Sequence, residues 1–267
     1  MPAALESLIA IFAFHRKPLS IAAAGVLCLF LKPDALSLTP PPGRMNALPA
    51  RTLWVWERPE DLHTVDPRTT AIATLDQTIQ LGRTAQVLPR RQPLLCPAGI
   101  TRIAVVRIEA PGAIAPGLEA ETADLILDGL DGPGIAALQI DFDARQSQRS
   151  FYAALLRDLR RRMPEGLPLS ITALASWCSS DDWLRGLPVD EAVPMFFRME
   201  PDRRSAPPDL PQFQIREPLC MRSIGISTRE PHSASLNGKR VYIFADRGWR
   251  EDLPLLAETS FIQETKP

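Results

Sequence analysis

Apolar and polar positions alternate along residues 136–144, AALQIDFDA. Leu138, Ile140 and Phe142 therefore share one face of a predicted strand, while Gln139, Asp141 and Asp143 share the other. Seven further short apolar runs with β character lie at 53–56, 71–75, 103–108, 169–175, 192–199, 224–227 and 241–244. Between the third and fourth runs, residues 117–129 place Leu118, Thr122, Leu125 and Ile126 at helical spacing, and the glycine- and proline-rich stretch from residue 131 stops the helix. The clearest helix spans 150–163, with Phe151, Tyr152, Leu155, Leu156, Leu159 and Met163 as its apolar stripe. Its arginines fall mostly off that stripe, as on a solvated face. Other connectors are short or broken by proline, the stretch 200–218 most of all.

Strands that alternate with helices call for parallel pairing and right-handed crossovers. The pattern predicts an α/β fold: a compact, irregular (β/α)8 TIM-like barrel over 52–267, with several helices shortened. Chemistry in such a barrel sits where the strands end. That rule gathers Glu57, Arg107, Glu109, Asp141, Asp143, Trp177, Arg198 and Asp246 on one rim.

Composition narrows the classes. A hydrophobic share of 45 % with 23 % charged residues fits a folded chain, and a net charge of −1 with no basic groove gives nucleic acid no purchase. His15, His63 and His232 are too scattered for a metal triad, and no glycine-rich phosphate loop follows a strand, so no metal and no cofactor are expected. His15, Arg16 and Lys17 precede the apolar run 19–31, which suits the core of a signal peptide, and small residues near Ser37 offer a cleavage site. Residues 1–37 are expected to be a signal peptide or an N-terminal anchor, the sole membrane contact if uncleaved. Residues 38–51 are expected to form a proline-rich linker, and the protein to reside in the periplasm or cell envelope. Cys96, Cys178 and Cys220 then remain; they allow at most one bridge and read better as buried thiols.

Two acids on one strand face repel each other, and partial burial adds to the effect, so at least one carboxyl holds its proton more tightly. That is the state a general acid needs near neutral pH. Asp143 and Asp141 are thus the first catalytic candidates, with Glu57 and Glu109 as partners from other strands. Gln139, Trp56, Trp177, Arg107, Arg198 and Asp246 are candidate substrate contacts, since tryptophan faces stack on sugar rings and arginine holds anions.

The run LQIDFDARQSQRSFYAALLRDLRRRMPEGLPLSITALASW, the later WLRGLPVDEAVPMFFRM and the block NGKRVYIFADRGW together resemble a bacterial family of exported proteins described as domain of unknown function 3142 (DUF3142), over about residues 53–249. The resemblance implies a fold similar to (β/α)8 glycoside hydrolases. In family 18 of those enzymes the fourth strand carries D-x-x-D-x-D-x-E, whose glutamate is the acid. In one register Arg145 falls on that glutamate and the acid is lost; slid by two residues, Asp143 takes its place with Asp141 beside it. The strand-six M-x-Y-D of that family is replaced here by Met195, Phe196, Phe197 and Arg198. The expectation is an exported, glycoside-hydrolase-like protein acting on an envelope or extracellular polysaccharide. The alternative is a non-catalytic glycan-binding or envelope-assembly protein on a degenerate hydrolase barrel.

Overall fold

The computed structural model describes residues 43–130, 132, 134–197, 214–230 and 236–258. These belong to one compact unit, Pro40–Pro267, and the chain's other unit is Met1–Thr39. The expected leader and Arg198 lie outside the described residues.

Eight strands run parallel around a closed ring: β1 (Arg51–Val55), β2 (Thr70–Leu81), β3 (Thr101–Glu109), β4 (Ile135–Asp141), β5 (Leu169–Leu174), β6 (Glu191–Met195), β7 (Ser223–Ser227) and β8 (Arg240–Phe244). Closure is made by β1, which pairs with β8 through Arg51 opposite Val241 and with β2 through Arg51 opposite Thr70. Each expected apolar run overlaps one of these strands, although β6 stops at Met195, short of the expected 199, and Ala175 already belongs to the helix after β5. β2 is longer than its pattern suggests, because a bulge after Leu75 carries it on to Leu81, where it pairs antiparallel with Ala85–Pro89.

Alternation along each strand builds two cores. Trp54, Ala73, Leu75, Ile103, Val105, Ala137, Val193, Tyr242 and Phe244 fill the barrel interior. Their neighbours Leu138, Ile140 and Phe142 face outward onto Phe151, Tyr152, Leu155, Leu156 and Leu159. Those five belong to α2 (Arg149–Arg162), the stripe expected from the sequence. Each such fully buried side chain contributes about 1.5–3 kcal/mol. Arg160, Arg161 and Arg162 complement the carbonyl end of α2, and Met163 turns extended because Pro164 follows it.

The second crossover helix, α1 (Glu119–Asp128), ends at Gly129. There the Gln77 amide donates to the carbonyls of Leu125 and Ile126, and a Cβ on Gly129 would stand 2.6 Å from it. The remaining described helices are short: α3 (Ala175–Ser179), α4 (Trp249–Asp252) and α5 (Leu255–Glu258). No helix joins β1 to β2 or β2 to β3; the pair Glu60–Asp61 and Leu94–Leu95 fills part of that space.

The stretch expected as a tether is seated from residue 43 onward. Arg44–Ala47 forms one 3-10 turn whose Met45 enters the interior core. Arg240 Nη1 donates to the carbonyls of Leu48 and Pro49 at 3.0 and 2.8 Å, and Nη2 to that of Met45. The expectation of unpaired thiols is corrected for two of the three cysteines. Cys178 and Cys220 form a disulfide across 42 positions, which ties α3 to the turn before β7, while Cys96 is free.

Candidate active site

Three neighbouring strands lift one polar residue each to the same height at the carboxyl end of the ring. Arg107 of β3 lies opposite Asp141 of β4 in the ladder, and Ile140 opposite Ile171 sets Thr172 of β5 beside Asp141. Contact follows from register. Arg107 Nη1 donates to Asp141 Oδ2 at 2.7 Å, and Thr172 Oγ1 donates to Asp141 Oδ1 at 2.8 Å. Glu109, two residues beyond Arg107 and so on the same face, accepts from Arg107 Nε at 3.2 Å. Trp56, past the end of β1, lies 5.6 Å from the Arg107 guanidinium carbon to its ring centroid. Behind it stand Trp54, Phe244 and Phe197 as an aromatic floor.

Asp141 is fixed and nearly buried, its side chain 8 % exposed. Asp143 is different: it follows the end of β4, is exposed, and has no hydrogen-bond donor to its carboxylate among the described residues. Protein crowded around one side and the adjacent Asp141 charge push its carboxyl above the ordinary range, against the pull of Arg107. Burial disfavours the Arg107 charge, but Asp141, with the hydrogen bonds to Glu109 and Asp141, outweighs it and holds the guanidinium above its usual value. Tyr152, packed behind β4 with its hydroxyl 3.5 Å from the Ile140 carbonyl, is pushed well upward by burial and by both aspartates, so it stays protonated. The arrangement offers one anchored anion, one solvent-open carboxyl with raised proton affinity, and one further carboxylate, Glu109, whose side chain is 44 % exposed.

The structure thus gathers Asp141, Asp143, Glu109, Arg107 and Trp56, and places the other candidates elsewhere. Gln139 shares the inward face but lies one layer deeper, fully buried, where it accepts from Trp54 Nε1 at 2.9 Å and donates to Ser170 Oγ at 3.1 Å. It is a core amide and not a substrate contact, because the aromatic floor closes above it. Trp177 is corrected likewise. It is 2 % exposed and belongs to the outer core, edge-on to Trp183 at 4.8 Å, because the turn into α3 directs it under the loop instead of toward the mouth.

Glu57 is exposed but engaged, accepting from the backbone N–H groups of Arg91 and Gln92 at 2.8 and 3.1 Å; it holds that loop and does not join the aspartates. Asp246 is exposed after β8, and its backbone N–H donates to Asp252 at 2.8 Å. Asp252, fully buried and also bound by Thr228 and Arg229, organises that corner. Asp76, in the β2 bulge, is a further titrating group that periodicity does not single out. Burial pushes its carboxyl up to about 6, against the pull of Arg102 and Arg90. Among the described residues, no group of three or more His, Cys, Asp or Glu side chains is placed to hold a metal, and no helix is long and apolar enough to cross a membrane.

Residues 99–194 match the family model described as Domain of unknown function (DUF3142). That span is narrower than the 53–249 of the resemblance, but it contains β3, β4, β5 and the Arg107–Asp141–Thr172 contacts. The structure is similar to the chitinase domain of the spore coat protein CotE from Clostridium difficile, at 13 % identity and a TM-score of 0.40 over 55 % of this chain and 50 % of that one. It is also similar to the spore cortex-lytic enzyme SleL from Bacillus cereus, at 15 % identity and a TM-score of 0.45 over 68 % of this chain and 51 % of that one. The chain therefore spans about half the length of these two solved structures. No curated protein matches it.

Proposed function

From a chain that matches DUF3142 across the strands bearing its carboxylates, we propose an exported, glycoside-hydrolase-like protein that acts on an envelope or extracellular polysaccharide. The observation that carries this reading is Asp143, solvent-open and raised in proton affinity beside an Asp141 that Arg107 and Thr172 hold in place. In the proposed reaction the Asp143 carboxyl donates its proton to the glycosidic oxygen as that oxygen's bond to the anomeric carbon breaks. Water forms the new bond to that carbon, either directly with its proton passing to the second carboxylate, or by displacing the second carboxylate from the carbon with its proton passing to Asp143. Asp141 positions and tunes it through charge. Trp56 supplies a flat apolar face for a sugar ring. Phe197 and Arg198 stand in sequence where family 18 has the tyrosine and aspartate that hold an acetamido group, so the second carboxylate comes from the protein, and Glu109 is its candidate. The Cys178–Cys220 bridge supports export, because such bonds persist in oxidising compartments.

A panel of polysaccharides incubated with the purified chain tests the reading. Release of reducing ends from at least one of them is expected, with a loss of about 100-fold or more in Asp143→Asn at unchanged circular dichroism. Full turnover in that variant would overturn the reading. A second reading, glycan binding without cleavage, is favoured by one feature: Glu109 and Asp141 both engage Arg107, which occupies the partner carboxylate. Glycan affinity without turnover, flat across the pH range where the carboxyls titrate, would select it.

A further inference from the structure

The crossover from β1 to β2 lacks a helix, so the outer face of β1 near its start is covered by that crossover and by the short segment of α4 and α5. A cavity of about 250 Å³ opens there, walled by Arg51 and Leu53 of β1, Val65 and Asp66 of the crossover, Thr70 at the head of β2, Leu253 between the last two helices and Leu256 of α5. Trp54 faces the barrel interior, so strand alternation turns Leu53 and Arg51 outward into this space. The cavity lies at the opposite end of the strands from Asp141.

Arg51 is the anomaly. It is half-buried, yet its guanidinium has no hydrogen-bond or ion-pair partner among the described residues. Comparable arginines are all engaged: Arg58 with Glu60, Arg102 with Asp76, Arg107 with Asp141, Arg149 with Asp181 and Arg240 with Glu191. Asp66, on the same cavity wall, gives its two oxygens to Arg68 at 3.1 Å. Burial lowers the proton affinity of Arg51, and Asp66 on the same wall is taken up by Arg68. An unpaired charge taken partly out of water destabilises a fold, and such exceptions concentrate where a ligand supplies the missing partner.

We infer that this cavity binds a small amphiphilic anion, its carboxylate or phosphate head on the Arg51 guanidinium beside the Thr70 hydroxyl and its apolar body against Leu53, Val65, Leu253 and Leu256. The guanidinium fork suits both heads, and the four apolar residues of the lining favour a ligand with an apolar body over a bare inorganic ion. At about 30 Å³ for each water-sized group the space holds about eight of them, enough for the head and the first part of an octyl chain, whose end extends through the open side. This goes beyond the mouth chemistry, and because it sits at the other end of the barrel, its failure and that of the glycan reading are separable.

Calorimetric titration of the full chain with octanoate and octyl phosphate tests it, with octan-1-ol as the neutral tail and inorganic phosphate as the bare head. One-to-one binding of at least one octyl anion is expected, with octanol and phosphate at least tenfold weaker and Arg51→Met weakened at least tenfold for the anion. Thermal unfolding gives the second readout. Without ligand, Arg51→Met unfolds at the wild-type temperature or above it, and the anion raises the wild-type midpoint but not the variant's. Binding equal in Arg51→Met, octanol as tight as the anions, no binding at all, or a ligand-free variant that unfolds earlier would each overturn the inference, the last by making Arg51 a structural residue.

Discussion

At the lower end of the barrel interior, Glu191 accepts from Tyr242 at 2.8 Å, Ser170 at 3.3 Å and Arg240 at 3.3 Å, and the Met45 turn covers the network. At the upper end, Asp143 stands beside Asp141 with no donor to its carboxylate among the described residues. Both acids have their proton affinity raised, and the causes differ. Burial raises Glu191 while Arg240, Tyr242 and Ser170 oppose it; crowding and the Asp141 charge raise Asp143 while Arg107 alone opposes. A raised carboxyl is therefore no mark of chemistry by itself. What separates the two is access: Glu191 is sealed beneath a plug, and Asp143 meets solvent. The lower acid is a strut of the barrel, and the upper one is the group on which the proposed reaction relies.

Removing partners at each end should sharpen that division. Glu191→Ala strands the buried Arg240 and is expected to cost about 3–5 kcal/mol in urea unfolding, the largest effect of the set. A loss below about 1 kcal/mol would dissolve the contrast. Arg107→Met, at a mouth where the arginine side chain is 30 % exposed, is expected to cost about 1–2 kcal/mol and to raise Asp143 further, which a carboxyl titration followed by nuclear magnetic resonance reads directly. Asp143→Asn is expected to shift stability by no more than about 0.5 kcal/mol at neutral pH. Its signature lies in pH. A carboxyl raised in the folded state gives stability below its unfolded value and loses it as pH rises through the folded one. The wild type should thus lose stability relative to Asp143→Asn from the ordinary carboxylate range upward, and an identical profile for the two would place Asp143 in an unperturbed surface setting.

The barrel was legible because its signal is local. Eight apolar runs, two amphipathic helices and the alternation in AALQIDFDA depend on neighbours in sequence, and each became the element expected. Asp141 and Arg107 meet because adjacent strands set them level, which strand-end counting anticipates. Depth was not legible. Gln139 and Asp141 share a face, but only the ring's closure shows that one lies beneath the aromatic floor and the other at the mouth. Trp177 follows a strand end as a rim residue does, yet the turn into α3 reverses its direction. Long-range pairs were hidden for the same reason: Glu191 and Arg240 stand 49 positions apart, Cys178 and Cys220 stand 42, and neither spacing carries a pattern.

Joining the first strand to the last has a consequence for the order in which the molecule is made. Until Val241 and its neighbours have been synthesised, Arg51–Val55 has nothing on one side, and the growing polypeptide carries two exposed sheet margins. The turn around Met45 is likewise unsecured until Arg240 emerges to clasp its carbonyls. Closure of the ring therefore requires Arg240–Phe244, and a product cut short before that strand would leave Arg51–Val55 open along one edge.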